Sequence, residues 1–228
     1  MSPPISHGRL AHGNPPDIAI TATAATLGWH ASMDGETELV RIARIGDSVF
    51  AVTLTLLAYR VRIPGHDELI SGKLAPLLPF VLDLWAVVLS FLVVSMFWIS
   101  HWRVFRRMRH SDIKFVALSL AFLGTLTLLP ISTSIVSSNY GTKFGALVYS
   151  ASLLITATAG LFVRMHARTL DPQAFGPGLL LAPSLAVLLF GGATLVSRQW
   201  PLAAAPLWFA TLLTPIVESR WGIGRKTT

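Results

Sequence analysis

The chain has no cysteine. That excludes disulfide scaffolds, thiolate metal sites and cysteine nucleophiles. It is also poor in charge, with 13% Asp, Glu, Lys and Arg, about half the ~25% of an ordinary globular domain. A soluble surface cannot be covered by so few charges. There is no Gly-rich phosphate loop, no HExxH and no GxSxG pattern, so those nucleotide, zinc and serine-hydrolase chemistries have no sequence support. The seven histidines are scattered without ligand spacing. A Thr-Val-Gly-Tyr-Gly stretch is absent too, which removes the carbonyl filter of the usual potassium channels.

What remains is apolar. Of 228 residues, 53% are hydrophobic, and the mean hydropathy is +0.62. The fold class is all-α integral membrane. The formal charge of +7 fits basic loops on one side of a membrane better than nucleic-acid binding.

Six apolar runs predict six transmembrane helices, at about 45–59, 76–102, 115–137, 143–163, 179–197 and 200–218. Most reach the ~20 residues that cross the hydrocarbon. The last two are separated only by Arg198-Gln-Trp, and Pro201 prevents one continuous helix. Residues 1–38 contain Pro3, Pro4, Pro15 and Pro16, and threonines dilute their apolar patch. They are expected to be a mostly disordered cytoplasmic leader, with a short helix at 18–29 as an option. The channel domain is then 39–219 and a cytoplasmic tail 220–228.

With both termini cytoplasmic, 13 of the 18 basic residues lie inside and five outside. Five of the 13 sit in the 103–114 loop alone. The expected location is the cell membrane, multi-pass, with both termini in the cytoplasm. The basic loop is expected to meet lipid headgroups passively.

The segment Arg41-Ile-Ala-Arg-Ile-Gly-Asp-Ser-Val-Phe-Ala-Val-Thr-Leu-Thr-Leu-Leu57 carries most of the remaining signal. Asp47 lies inside an apolar run, where an ionised group is expensive and needs a partner. Arg44, three residues away, is one candidate. His101, at the same end of the second helix, is another. On a helix, Ser48, Val52, Thr55 and Tyr59 fall at about 0°, 40°, −20° and 20°, one narrow stripe. Helix packing and pore lining both account for it. Asp83, near the other end of the second helix, faces either an outer vestibule or the hydrated interface.

These residues resemble a known family. Arg41-x-x-x-Ile45-Gly46-Asp47 and the hydroxyl-bearing run behind it are similar to the Arg-x-x-x-Phe-Ser-Asp signature of the transmembrane protein 175 potassium channels, in their prokaryotic branch. Phe97-Trp98-x-x-His101, Leu118-Ser-Leu-x-Phe-Leu with Leu129-Pro130, and Gly145-Ala-Leu-Val-Tyr149 resemble its later helices. Two departures stand out: Ile45 and Gly46 replace Phe and Ser, and Ser119 stands where Asn is usual.

The resemblance implies a homotetramer with the first helix of each subunit lining a central pore. It implies potassium as the permeant ion and no cofactor. It makes Val52 the hydrophobic constriction and Thr55 the selectivity residue, with Ser48 and Tyr59 also lining the pore. Arg41, Arg44, Asp47 and His101 would form a structural polar network. The expected function is thus a potassium-preferring channel, not an enzyme. A proton-coupled transporter using Asp47, Asp83 or His101 is the alternative, although no internal repeat supports it. A membrane enzyme built on His101, Asp112 or the 103–114 loop has no nucleophile–base or metal constellation behind it.

Overall fold

The computed structural model describes residues 18–59, 61–70 and 77–214, with backbone alone for 18–38 and for Pro177. Every regular element among the described residues is a helix. Helix α1 spans Ile18–Tyr59, α2 His66–Ile70, α3 Leu78–Phe105, α4 Ile113–Leu126, α5 Leu129–Ser138, α6 Lys143–Leu170, α7 Leu181–Ser197 and α8 Ala205–Ala210. Short 3₁₀ turns lead into α7 and flank α8.

Five stretches are long and apolar enough to cross a membrane: 39–59, 78–105, 113–138, 143–170 and 178–197. The sixth expected span appears as a shorter apolar helical stretch, Pro201–Leu213. Its expected remainder lies outside the described residues, as do the first 17 residues and the 220–228 tail.

Two boundaries differ from those expected. The first helix, expected at about 45–59, runs unbroken from Ile18 to Tyr59, so the second half of the expected leader is helical. The third run is two helices, because Pro130 cannot donate its missing N–H to a continuing helix. Helix α4 ends at Leu126 and α5 restarts at Leu129 with proline in its first turn.

Local chemistry sets the other starts. The Asp112 carboxylate accepts the Phe115 N–H at 2.7 Å and caps α4, leaving one fewer helix-end donor unpaired. Thr142 does the same for α6 through Gly145 N–H at 3.1 Å. The turn before α6 needs two glycines. Gly141 has φ of 76°, the left-handed region that favours glycine. A Cβ on Gly145 would stand 2.8 Å from the Asn139 carbonyl oxygen.

The core is aromatic and aliphatic, with Phe50, Phe97, Phe115, Phe122, Tyr149, Phe190 and Trp208 all buried. Hydroxyl bonds stitch the helices together where no water reaches. Ser90 of α3 meets Thr133 of α5 at 2.8 Å and Tyr149 of α6 at 2.9 Å. Ser150 of α6 receives the Trp208 indole N–H at 3.0 Å and lies 3.2 Å from Ser197 of α7. Helix α1 packs against α3, α4 and α5, so it forms one outer wall of the bundle.

Candidate functional site

Helix α1 is amphipathic in an unusual sense. Its buried side consists of Ile42, Gly46, Phe50, Thr53 and Leu57. On a helix these lie about 120° to 200° from Ser48. The stripe of Ser48, Val52, Thr55 and Tyr59 is on the opposite side and exposed, Val52 to 56% and Tyr59 to 87%. Packing against the protomer's own described helices therefore does not account for the stripe. Arg41 and Arg44, at about 20° and −40°, continue the same exposed face toward the basic end and are exposed themselves.

The two stripe hydroxyls are oriented by their own helix. Ser48 donates to the Arg44 carbonyl oxygen at 3.0 Å, and Thr55 to the Val52 carbonyl oxygen at 2.9 Å. A hydroxyl that has given its proton to the backbone keeps its oxygen lone pairs for an outside donor or cation. Val52, between them, offers only methyl groups.

The expected polar network is only partly assembled in the protomer. Asp47 does not pair with Arg44 or hydrogen-bond to His101. It accepts the Trp98 indole N–H at 2.9 Å, which ties α1 to α3 at this depth. His101 is buried, and its Nε2 has no hydrogen-bond partner. Three phenylalanine rings surround it: Phe50 at 5.8 Å, Phe105 at 4.5 Å and Phe122 at 5.3 Å between centroids. Helix α1 comes close here because residue 46 is glycine; a Cβ there would stand 3.2 Å from His101 Nε2. Ser119, at the position where asparagine is usual in the resembling family, is buried with its Oγ also without a partner.

At the other end of α3, Asp83 is half-buried and accepts the backbone N–H of Arg62 at 3.2 Å. Arg62 in turn pairs with Glu68 at 2.8 Å. Asp83 thus holds the loop after α1 against α3.

Three polar residues went unread in the sequence. Trp98 looks like an interfacial aromatic until its indole is found on Asp47. Arg164 looks like the charge that closes the fourth span. Helix α6 instead continues to Leu170, and Arg164 is 3% exposed. Its guanidinium donates to the Leu179 carbonyl oxygen at 3.0 Å and to both the carbonyl oxygen and Oγ of Ser100. His166 Nε2 lies 2.8 and 2.9 Å from the two Asp112 oxygens. The backbone N–H of Phe115, then His166 and Lys114, hold the Asp112 carboxyl below its usual range, against a smaller opposing effect of burial. The only sequence signal for these pairings was a polar residue inside or beside an apolar run. Among the described residues no group of His, Asp or Glu is arranged to hold a metal ion.

Comparison with known proteins converges on one family. Residues 41–130 match the model of the endosomal/lysosomal potassium channel TMEM175. A potassium channel of Chamaesiphon minutus is 26% identical over 170 residues, covering 64% of this chain and 82% of its own length. One from Streptomyces collinus is 28% identical over 146 residues, covering 60% and 70%. A third, from a Chryseobacterium species, is 25% identical over 119 residues, covering 52% of this chain and 59% of the relative. The fold matches the crystal structure of a lysosomal potassium-selective channel TMEM175 homolog from Chamaesiphon minutus. The TM-score is 0.71, with 21% identity over 80% of this chain and 98% of that one. These relatives are named as ion channels, not as enzymes.

Proposed function

We propose that the chain is a member of the TMEM175 family, whose model matches residues 41–130, and that it is a potassium-preferring channel formed by four copies around a central pore. The observation that carries the proposal is the stripe of Ser48, Val52, Thr55 and Tyr59, which faces away from the protomer's own core. A stripe of hydroxyls turned to lipid gains nothing. Turned to a shared axis, the same stripe lines a water-filled path.

In this reading each chemical type along the stripe has a distinct task. Four Val52 side chains form an apolar ring that narrows the path and opposes wetting. Thr55, its proton held by the Val52 carbonyl oxygen, presents a ring of acceptor oxygens. That ring replaces part of an ion's hydration shell without a carbonyl filter. Ser48 continues the polar lining toward the basic end, and Tyr59 marks the other mouth. Ions move down their gradient, so no step needs a cofactor. The excess of Lys and Arg in the 103–114 loop and its neighbours supports a cell-membrane protein with both termini in the cytoplasm.

The polar network belongs to the same reading as a support. Asp47 on Trp98 and Gly46 against His101 fix the depth and rotation of α1 relative to α3. Rotation by one residue step of about 100° would turn Val52 and Thr55 off the axis.

The test is flux in liposomes. Purified protein, verified as a tetramer by native mass measurement, is expected to pass K⁺ faster than Na⁺. Val52→Ser should raise flux and Val52→Trp should abolish it, both without loss of assembly. A folded tetramer that passes neither ion, or one indifferent to both Val52 variants, would overturn the proposal.

A further inference from the structure

At the end of the bundle opposite the basic 103–114 loop, a cavity of about 40 Å³ opens between α3, α5, α6 and α8. Five of the residues around it are aromatic: Trp85, Tyr140, Tyr149, Trp208 and Phe209. Tyr149 and Trp208 are buried and form its floor, whereas Trp85 and Tyr140 are exposed and form its mouth. The rings are set at angles, not stacked. Trp85 and Phe209 are 5.4 Å apart between centroids with their planes at 41°, and Tyr149 and Trp208 are 4.9 Å apart at 84°. Their faces therefore point in several directions around one small space.

The polar groups of the floor are engaged elsewhere. The Tyr149 hydroxyl is 2.9 Å from Ser90 Oγ, and the Trp208 indole N–H donates to Ser150 Oγ at 3.0 Å. What those two residues have left for the cavity is ring surface. Ser137, a hydroxyl on the wall, donates to the Ser134 carbonyl oxygen at 3.2 Å, so its lone pairs stay available as acceptors. No charged side chain among the described residues lines the cavity. The lining offers π-electron density and an acceptor oxygen, and no cation to hold an anion. A guest whose positive charge is spread over methyl groups meets both features. Its methyls fill apolar space, and its charge is attracted by the ring quadrupoles.

We propose that this cavity binds the methylated ammonium head of an organic cation, with its methyl end against Tyr149 and Trp208 and the rest held at the mouth by Trp85, Tyr140 and Phe209. The volume takes the end of such a group and not a whole ligand. The same head occurs free in solution, as in choline, and on choline lipids. No α1 residue lines the cavity, so the proposal does not rest on ion conduction, and its tests do not measure flux.

Charge and shape are separated by comparing choline with its neutral isostere 3,3-dimethylbutan-1-ol. Binding of each is read by saturation-transfer NMR on the protein in maltoside micelles. The signal that counts is the part lost in the double variant Trp85→Leu with Tyr140→Leu. Both side chains are exposed, so fold is expected to survive; Phe209→Leu alone is the second variant. Choline should bind about two- to thirtyfold more tightly than the alcohol, the range of a cation over aromatic faces. Trp85→Phe with Tyr140→Phe should keep most of that preference. Equal binding of the two ligands would make the cavity a plain apolar slot, as for a lipid chain, and would overturn the proposal. So would choline binding that is unchanged in the leucine variants. Repeating the titration in nanodiscs distinguishes the sources. Loss of choline binding in phosphatidylcholine discs but not in phosphatidylglycerol discs supports the site with a lipid head as its occupant. Equal binding in both supports it with a soluble cation.

Discussion

Gly46 offers the sharpest test of how α1 is seated. A Cβ added there meets His101 Nε2 at 3.2 Å, Cδ2 at 3.5 Å and Leu123 Cδ2 at 3.9 Å. The first contact is a few tenths of an ångström too close, so α1 or the imidazole must give way. Overpacking of this kind costs about 1–3 kcal/mol, and leaving glycine returns about 1 kcal/mol of helix propensity. Gly46→Ala should therefore be neutral to destabilising by up to about 2 kcal/mol on those two magnitudes. Gly46→Ser brings the same Cβ and adds a hydroxyl beside a buried nitrogen that has no partner. That hydroxyl can donate or accept, so it fits either tautomer of His101. Satisfying a buried orphan is worth about 1–3 kcal/mol, whereas intrinsic propensity favours alanine over serine by about half a kcal/mol. The two effects have opposite signs, and the larger should win: serine above alanine. In a His101→Phe background the order should revert to alanine above serine. Unfolding of the purified protein in mild detergent, followed by tryptophan fluorescence, measures both orders. Alanine more stable than serine with His101 intact would show that His101 Nε2 does not face residue 46, and the seating argument would fail.

Two further outcomes follow from the contacts described above. Ser90→Ala strips two partners at once, from Thr133 and from the buried Tyr149 hydroxyl. It should cost more than Tyr149→Phe, by about 0.6–2 kcal/mol for interhelical bonds in a membrane, and the double variant should be less than additive in the same unfolding assay. Asp112→Ala removes the α4 cap and the His166 contact. Because the folded carboxyl is held below its usual range, its contribution is present above the ordinary carboxylate pKa of about 3.9. It is lost as pH falls through the lower folded value. The stability gap between wild type and Asp112→Ala should be flat from neutral pH down to mildly acidic pH and close only in strong acid. A gap that closed near pH 6 would refute the assignment.

The stretches of chain that enter the membrane were legible from one-dimensional rules. Hydrocarbon thickness sets a minimum length and excludes charge, so the apolar runs marked the five long spans. The start of the sixth was marked by Pro201 after Arg198-Gln-Trp. The split at Pro130 shifted no span, because a proline interrupts hydrogen bonding over one turn only. The leader was less legible. Its prolines precede Ile18, and the threonines read as diluting an apolar patch do not stop a helix that continues into α1.

Side-chain partners were a different matter. Periodicity placed Ser48, Val52, Thr55 and Tyr59 on one face, yet could not say which face of α1 meets α3, α4 and α5. Phe50 and Leu57 on the buried side are matched by Val52 and Leu56 among the exposed residues, so a search for large apolar side chains did not separate the two faces. Helix spacing proposed Arg44 for Asp47 and matching depth proposed His101, and the partner is Trp98, 51 residues away. Nor could an arginine at a span's end reveal that it is buried: Arg164 is identical in sequence whether it reaches headgroups or holds Ser100 and Leu179.

The sequence by itself thus determined the solvent of each segment, because transfer into hydrocarbon depends on local composition. Only the tertiary structure decided which polar groups satisfy one another and which face of α1 is left outward. Those depend on distances between helices far apart in the chain, where a single glycine at residue 46 sets how closely two of them approach.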